Sequence, residues 1–259
     1  MRRLLVLAAV TLLTAGCGST VTAPSPVATP PPPVVAPAPA PTPTPTPPIP
    51  ALPAGPTLSV SRILCFGDSL TAGFISQTTA VLMAVADEAY PTRLQLLLNA
   101  RYPSQTIVVD SAGVFGEWAD DGKERIVATV RLSRPDVVVL MEGANDINGA
   151  GEAGVAFALD GLENMLRDAR ALGATVFLAS IPPHRPGSRL GGEPELVREL
   201  NDGIQSLAAR QRVTFVDVNR AFGGDLSLIG PDGLHPTAAG YQRIADTMFQ
   251  ALRSAFERQ

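Results

Sequence analysis

The sequence has few of the side chains that would mark it at once. In 259 residues there are two cysteines, two histidines and one tryptophan, and aromatics make up 5% of the chain. Two cysteines, Cys17 and Cys65, cannot build a disulfide framework. With only two histidines beside them, no metal-ligand spacing is present, and no metal or other cofactor is implied. Basic residues are not in surplus: 20 Lys and Arg stand against 24 Asp and Glu, so the electrostatic footprint of a nucleic-acid partner is absent. The main apolar run, Leu4–Leu13, is too short to span a bilayer. Charge is missing altogether from residues 18–57, and 16 of the 25 prolines lie between Pro24 and Pro56.

That skew divides the chain. MRRLLVLAAVTLLTAGC has a charged start at Arg2 and Arg3, an apolar middle and a small-residue end at Ala15-Gly16, which is the pattern of a signal peptide over residues 1–16. Leu13-Thr14-Ala15-Gly16-Cys17 resembles the lipobox of bacterial lipoproteins, departing from it at Thr14, where Leu is usual. The resemblance implies an exported chain lipidated at Cys17 and held to a membrane of the cell envelope, facing the periplasm or the cell surface. Gly18 after the cysteine is not the Asp of inner-membrane retention, so an outer membrane is compatible with it. Residues 17–57 then form a proline-rich, disordered linker favouring polyproline II. At about 3.1 Å per residue, its reach is at most roughly 120 Å.

Residues 58–259 contain the other nine prolines and are enough for one well-buried core. They hold all 24 acidic residues and 18 of the 20 basic ones, a net charge of 18 − 24 = −6. Short β-branched runs recur at Arg62–Phe66, Thr106–Asp110, Asp136–Met141, Thr175–Ile181 and Val213–Val218. Helical patterns lie near 88–101, 119–132, 154–172 and 194–211, with a last one at 238–256. Strands alternating with helix-length segments predict right-handed crossovers and a five-stranded parallel sheet of α/β class. Cys65, within the first strand, is then a small buried hydrophobe and not a reactive thiol.

In such sheets ligands bind outside the carboxyl ends of the strands, so the residues following each strand are the candidates for chemistry. The first strand is followed by Gly67-Asp68-Ser69-Leu70, the second by Ser111-Ala112-Gly113-Val114-Phe115-Gly116-Glu117, and the third by Glu142-Gly143-Ala144-Asn145-Asp146. Asp232-Gly233-Leu234-His235-Pro236 follows the fifth. A serine hydroxyl needs an adjacent base to become a nucleophile. His235 can serve, and Asp232, three residues earlier, can hold its tautomer from the other ring nitrogen. Pro236 suits the entry to the last helix. The N–H groups of Ser69 and Gly116 and the side-chain amide of Asn145 would supply three donors to an oxyanion.

These residues resemble the SGNH hydrolase superfamily, also called GDSL esterases and lipases. Gly67-Asp68-Ser69-Leu70 matches its first block, Gly116 the glycine of its second, Gly143-x-Asn145-Asp146 its third and Asp232-x-x-His235 its last. The spacing of the family's second block selects Gly116 over Gly113. Ser111 departs from the Asn that many members carry there. The resemblance implies a three-layer α/β/α, flavodoxin-like fold, metal-free ester hydrolysis, and the serine, glycine, asparagine and histidine roles just given. An acyltransferase would use the same residues, and a non-catalytic envelope binding module is a further alternative. Neither the acyl group nor the alcohol is written in the spacing. Acetylated polysaccharide, lysophospholipid, short aliphatic ester and thioester all fit.

Other residues are read more plainly. Asp68 and Asp146 are expected to accept backbone hydrogen bonds in the site turns. His184 has no carboxylate spaced like Asp232 and reads as a substrate wall or an exposed loop residue. Glu117, Asp120 and Asp121 read as solvated carboxylates at a helix N-terminus. The apolar run Ala80–Val85 reads as buried structure, with the lining of an acyl pocket or a mobile flap as the alternatives.

Overall fold

The structure, a computed structural model, describes residues 55–258, so the leader 1–16, Cys17 and the linker up to residue 54 lie outside the described residues. Strand β1 (Thr57–Leu58) enters the domain and pairs antiparallel with β9 (Glu257–Arg258), the last strand. The main sheet is parallel and five-stranded, comprising β2 (Arg62–Gly67), β5 (Val108–Gly113), β6 (Val137–Met141), β7 (Thr175–Ala179) and β8 (Thr214–Val216). In β6 the run Val-Val-Val-Leu-Met is buried at every position, as it must be when helices cover both faces of the sheet.

The spatial order is β5-β2-β6-β7-β8. The chain leaves β2 through α2 (Tyr90–Arg101) to β5, then returns across β2 through α3 (Ala119–Ser133) to β6. It continues the same way through α5 (Glu152–Ala171) and α6 (Pro194–Gln211) to β7 and β8. With right-handed crossovers, that reversal puts α2 on one face and α3, α5 and α6 on the other. Accordingly α2 packs on the final helix α8 (Ala238–Phe256), while α3 packs on α5 and α5 on α6. The reversal also leaves a crevice between the carboxyl ends of β2 and β6, the place where doubly wound sheets bind ligands.

All five expected strands are present, with shifted ends. The second begins at Val108 and continues to Gly113, so Ser111, Ala112 and Gly113 belong to the strand and not to the loop after it. Gly113 lies flush on the short helix α1 (Ser69–Ala72): a Cβ there would stand 2.2 Å from the Ala72 backbone nitrogen. The long helices fall where expected, and a short α4 (Ala144–Ala150) precedes α5. Pro236 stands before α8 and not in its first turn, because Thr237 is the cap, its hydroxyl accepting the Gly240 N–H at 3.2 Å.

The run Ala80–Val85 is not buried structure. It forms part of a hairpin, β3 (Phe74–Ser76) with β4 (Leu82–Ala84), in which Val81 is 48% and Met83 51% exposed. Among the described residues the two three-residue strands pair only with each other, and the Tyr241 hydroxyl of α8 donates to the Phe74 carbonyl at 2.7 Å, which ties β3 to the domain. One further short helix, α7 (Val218–Ala221), follows β8.

Candidate active site

The site begins where β2 stops. Asp68 caps α1, its carboxylate accepting the Leu70 N–H at 2.8 Å, and places Ser69 as the first helical residue at the crevice. Ser69 Oγ lies 2.9 Å from His235 Nε2, and His235 Nδ1 lies 2.6 Å from Asp232 Oδ2. Ser69 and His235 are 2% exposed and Asp232 is fully buried.

The turn that carries the acid and the base is fixed from several sides. Asp232 Oδ1 accepts the N–H groups of Leu234 and His235, both at 3.1 Å. The Asp232 N–H donates to Ser76 Oγ at 3.3 Å, so the hairpin braces the turn. Gly233 has φ +90°, and a Cβ there would stand 2.4 Å from that of Ser188; only glycine satisfies both the backbone conformation and the close approach. Burial opposes the charge on Asp232, but the hydrogen bonds from His235 and Leu234 outweigh it and hold the carboxyl down at about 2. Asp232 is therefore an anion throughout the physiological range, aimed at Nδ1 of His235.

Gly116 stands in the loop between β5 and α3 with φ +73°, and open space surrounds the position of a Cβ. Among the described residues the N–H groups of Ser69 and Gly116 make no hydrogen bond. Asn145 is joined to both neighbouring blocks: its Nδ2 donates to the Glu117 carbonyl at 2.8 Å and to Asp68 Oδ2 at 3.2 Å. Of the predicted site residues, Ser69, His235 and Asp232 are thus linked through short polar contacts; Asn145 is tied instead to Asp68, the residue before Ser69, and to Glu117, the residue after Gly116. Asp68 and Asp146 act as the expected hydrogen-bond acceptors, Asp146 taking the Ala119 N–H at 3.1 Å.

Glu117 is not solvated. It precedes α3, is 5% exposed, and forms a two-pronged ion pair with Arg125 at 2.5 Å. Arg125 also donates to the Ala112 carbonyl at 2.7 Å and lies over the Phe66 ring at 3.7 Å. This cation lies behind a crowd of carboxyls. Burial and the charges of Asp146 and Glu117 push Asp68 up to about 7. Burial raises Asp146 to about 6, and burial with the Asp68 charge raises Glu142 well above the usual carboxyl range. Glu142 is fully buried, and neither of its oxygens has a hydrogen-bond partner among the described residues. Among those residues, no group of three or more His, Cys, Asp or Glu is arranged to hold a metal ion.

His184 is not an exposed loop residue but is 3% exposed, with both ring nitrogens unpartnered. Burial, then the neighbouring His235, lowers it to about 4, so it is neutral. It forms part of the wall of a cavity of about 320 Å³ bordered by α6 and α7. Burial pushes the Cys65 thiol up to about 12, as befits an inert buried residue.

Sequence reasoning missed two parts of the site. Phe74 lies 6.4 Å from the His235 ring and 4.6 Å from Phe115, which gives the base an aromatic flank. Arg125 pairs with Glu117 across the start of α3. Neither pairing has a periodic signal, since both depend on how separate loops are folded together.

The model of the GDSL-like Lipase/Acylhydrolase family matches residues 65–243. The chain belongs to this family. It is a carboxylic ester hydrolase with the family's fold, a five-stranded parallel sheet flanked by helices. Esterase TesA from Pseudomonas aeruginosa is 26% identical over 205 residues, which are 75% of this chain and 89% of that protein. Among solved structures, the lipase/acylhydrolase from Enterococcus faecalis is 25% identical with a TM-score of 0.66, over 77% of this chain and 98% of that one. Est24, a carbohydrate acetylesterase from Sinorhizobium meliloti, shares the fold with a TM-score of 0.64 at 20% identity, over 76% of this chain and all of its own (100%).

Proposed function

We propose that this GDSL-family hydrolase works as a serine esterase through Ser69, His235 and Asp232. The observation that carries the reading is the buried relay from Ser69 Oγ to His235 Nε2 at 2.9 Å and from His235 Nδ1 to Asp232 at 2.6 Å. Ser69 Oγ attacks the ester carbonyl while His235 takes its proton, and Asp232 stabilises the imidazolium so formed. The oxyanion is received by the unengaged N–H groups of Ser69 and Gly116. Asn145 contributes the N–H that it otherwise gives to Asp68, the longer of its two bonds. Collapse of the tetrahedral intermediate breaks the bond to the alcohol, which leaves with the proton from His235. Water, activated by the same imidazole, then hydrolyses the acyl-serine. The position of Gly113, flush on α1, supports Gly116 as the second-block donor. The aromatic flank of Phe74 and Phe115 beside His235 supports an apolar contact with the substrate.

Ser69→Ala tests the assignment. Turnover of p-nitrophenyl acetate falls to the background rate and labelling by a fluorophosphonate disappears, while the circular dichroism spectrum is unchanged. Activity that survives the substitution refutes Ser69 as the nucleophile.

We further propose that the enzyme is exported and anchored in the cell envelope by a lipid on Cys17, with residues 17–57 as the spacer. The leader composition and the lipobox resemblance support this. Metabolic labelling with a fatty acid should mark the wild-type chain and not Cys17→Ser. Equal labelling of the two would refute the anchor.

A further inference from the structure

Around the start of α3, two residues after Gly116, lies a second, separate concavity. Trp118, Asp120, Phe157 and Asp160 line a cavity of about 380 Å³, within the range of small-molecule sites. Its floor is rigid. One side of the Trp118 indole rests on Gly149 of α4, where a Cβ would collide with the ring at 2.3 Å. Helices α3 and α5 meet just below, where a Cβ on Gly161 would stand 2.6 Å from that of Ala119. Phe157, 53% exposed, presents a ring to solvent from α5, and Asp160 stands one helical turn further along the same face.

The charges around these two rings select the ligand. The carboxylates of Asp120 and Asp160 both reach toward Lys123, Asp120 in a close ion pair and Asp160 at 3.9 Å. Asp160 also accepts Asn164 Nδ2 at 3.1 Å. An organic cation would fit two aromatic faces and a carboxylate, but the Lys123 ammonium already occupies the space between the acids. An alkyl chain would strip water from three charged groups without replacing its hydrogen bonds. A sugar ring meets both demands. Its C–H face packs on the indole or the phenyl ring, and its hydroxyls donate to Asp120 and Asp160 and accept from Lys123.

We propose that this pocket is a carbohydrate subsite. Trp118 is two residues from Gly116, so their Cα atoms are within about 7 Å of each other. The Glu117 carbonyl between them holds the Asn145 amide. A saccharide seated on Trp118 and Phe157 therefore lies next to the oxyanion residues, and the substrate class that joins the two sites is an acylated oligosaccharide or polysaccharide. That last step rests on the esterase reading above; the binding of sugar by the pocket does not.

Trp118 is the only tryptophan in the chain, so its emission reports the pocket directly. The full chain carrying Ser69→Ala is titrated with xylotriose, maltotriose and chitotriose, and with choline chloride and sodium hexanoate as cationic and apolar comparators. At least one trisaccharide gives a saturable change in emission, and neither comparator does. Phe157→Ala, at an exposed position, weakens that binding about tenfold, the scale of one lost aromatic face. Asp160→Asn, which keeps the shape, weakens it as well. The subsite is refuted if no trisaccharide changes the emission, if choline or hexanoate saturates it, or if Phe157→Ala binds sugar as tightly as the parent. Ester turnover is measured separately on the chain with Ser69 intact. Hydrolysis without sugar binding removes the subsite alone, and sugar binding without hydrolysis removes the catalytic reading alone.

Discussion

Asp232→Asn is the most exacting test of the site, because the structure dictates how the new amide must point. Asp232 Oδ1 accepts two backbone N–H groups, from Leu234 and His235, at 3.1 Å. An asparagine keeps its carbonyl oxygen on those two donors, since turning it over would bring N–H against N–H twice. Its Nδ2 then occupies the place of Oδ2, 2.6 Å from His235 Nδ1 in the native protein. Nδ1 must accept a hydrogen bond instead of donating one, and the neutral imidazole carries its proton on Nε2. That is the nitrogen 2.9 Å from Ser69 Oγ, and it can no longer take the serine proton. The expected loss in kcat at neutral pH is roughly a thousand- to ten-thousandfold, about 4–5 kcal/mol in the barrier. The assay is the steady-state hydrolysis of p-nitrophenyl acetate, with the thermal midpoint recorded in parallel to show a folded protein. A folded Asp232→Asn enzyme that retains a tenth or more of the wild-type kcat would show that Asp232 does not set the tautomer.

Two predictions concern the polar cluster behind the serine. Arg125→Met removes the cation facing the buried Glu117 carboxylate and should cost about 3 kcal/mol in urea denaturation. Adding Glu117→Gln should recover more than half of the loss, and a single-variant cost below about 1 kcal/mol would dismiss the pair. The second is a pH dependence of stability. Asp68 at about 7 and Glu142 well above the carboxyl range keep protons that their unfolded counterparts, ionising near 4, have lost. The native state then binds more protons than the unfolded one, so stability falls as pH rises through the native values. His184, lowered to about 4, acts in the opposite sense, and its effect fades as pH rises past the usual imidazole value. Between pH 6.5 and 8 it opposes the carboxyls by only about 0.4 kcal/mol, and the thermal midpoint should drop by the equivalent of about 1 kcal/mol or more. Asp68→Asn should flatten that slope, and a midpoint that is level or rises between these pH values contradicts the argument.

Much of this enzyme is set by sequence alone. Charge and proline separate residues 58–259 from what precedes them. Alternating β-branched runs and helix-length segments specify a parallel α/β sheet, because such strands are buried on both faces and need crossovers between them. That rule puts Ser69 and Asn145 just past strand ends before any coordinate is known, and the Asp232–His235 turn on the approach to the last helix. Spacing also pairs Asp232 with His235, since a carboxylate three residues back can reach the same ring.

Tertiary structure decided what depends on contacts between loops. The reversal of strand order puts the crevice between β2 and β6, and nothing local in either strand encodes that order. Glu117 reads as a solvated helix-start acid until Arg125 folds over it. Ala80–Val85 reads as core because it is apolar, yet it forms part of a hairpin that leaves Val81 and Met83 exposed. His184 becomes a buried neutral ring only because the loop after β7 lies against the Asp232 turn. Trp118 becomes part of a binding surface only where α3 meets Phe157 of α5, nearly 40 residues further along the chain. Periodicity and spacing carry what neighbouring residues impose on one another. The environment of a side chain comes from segments distant in sequence, and only folding brings those together.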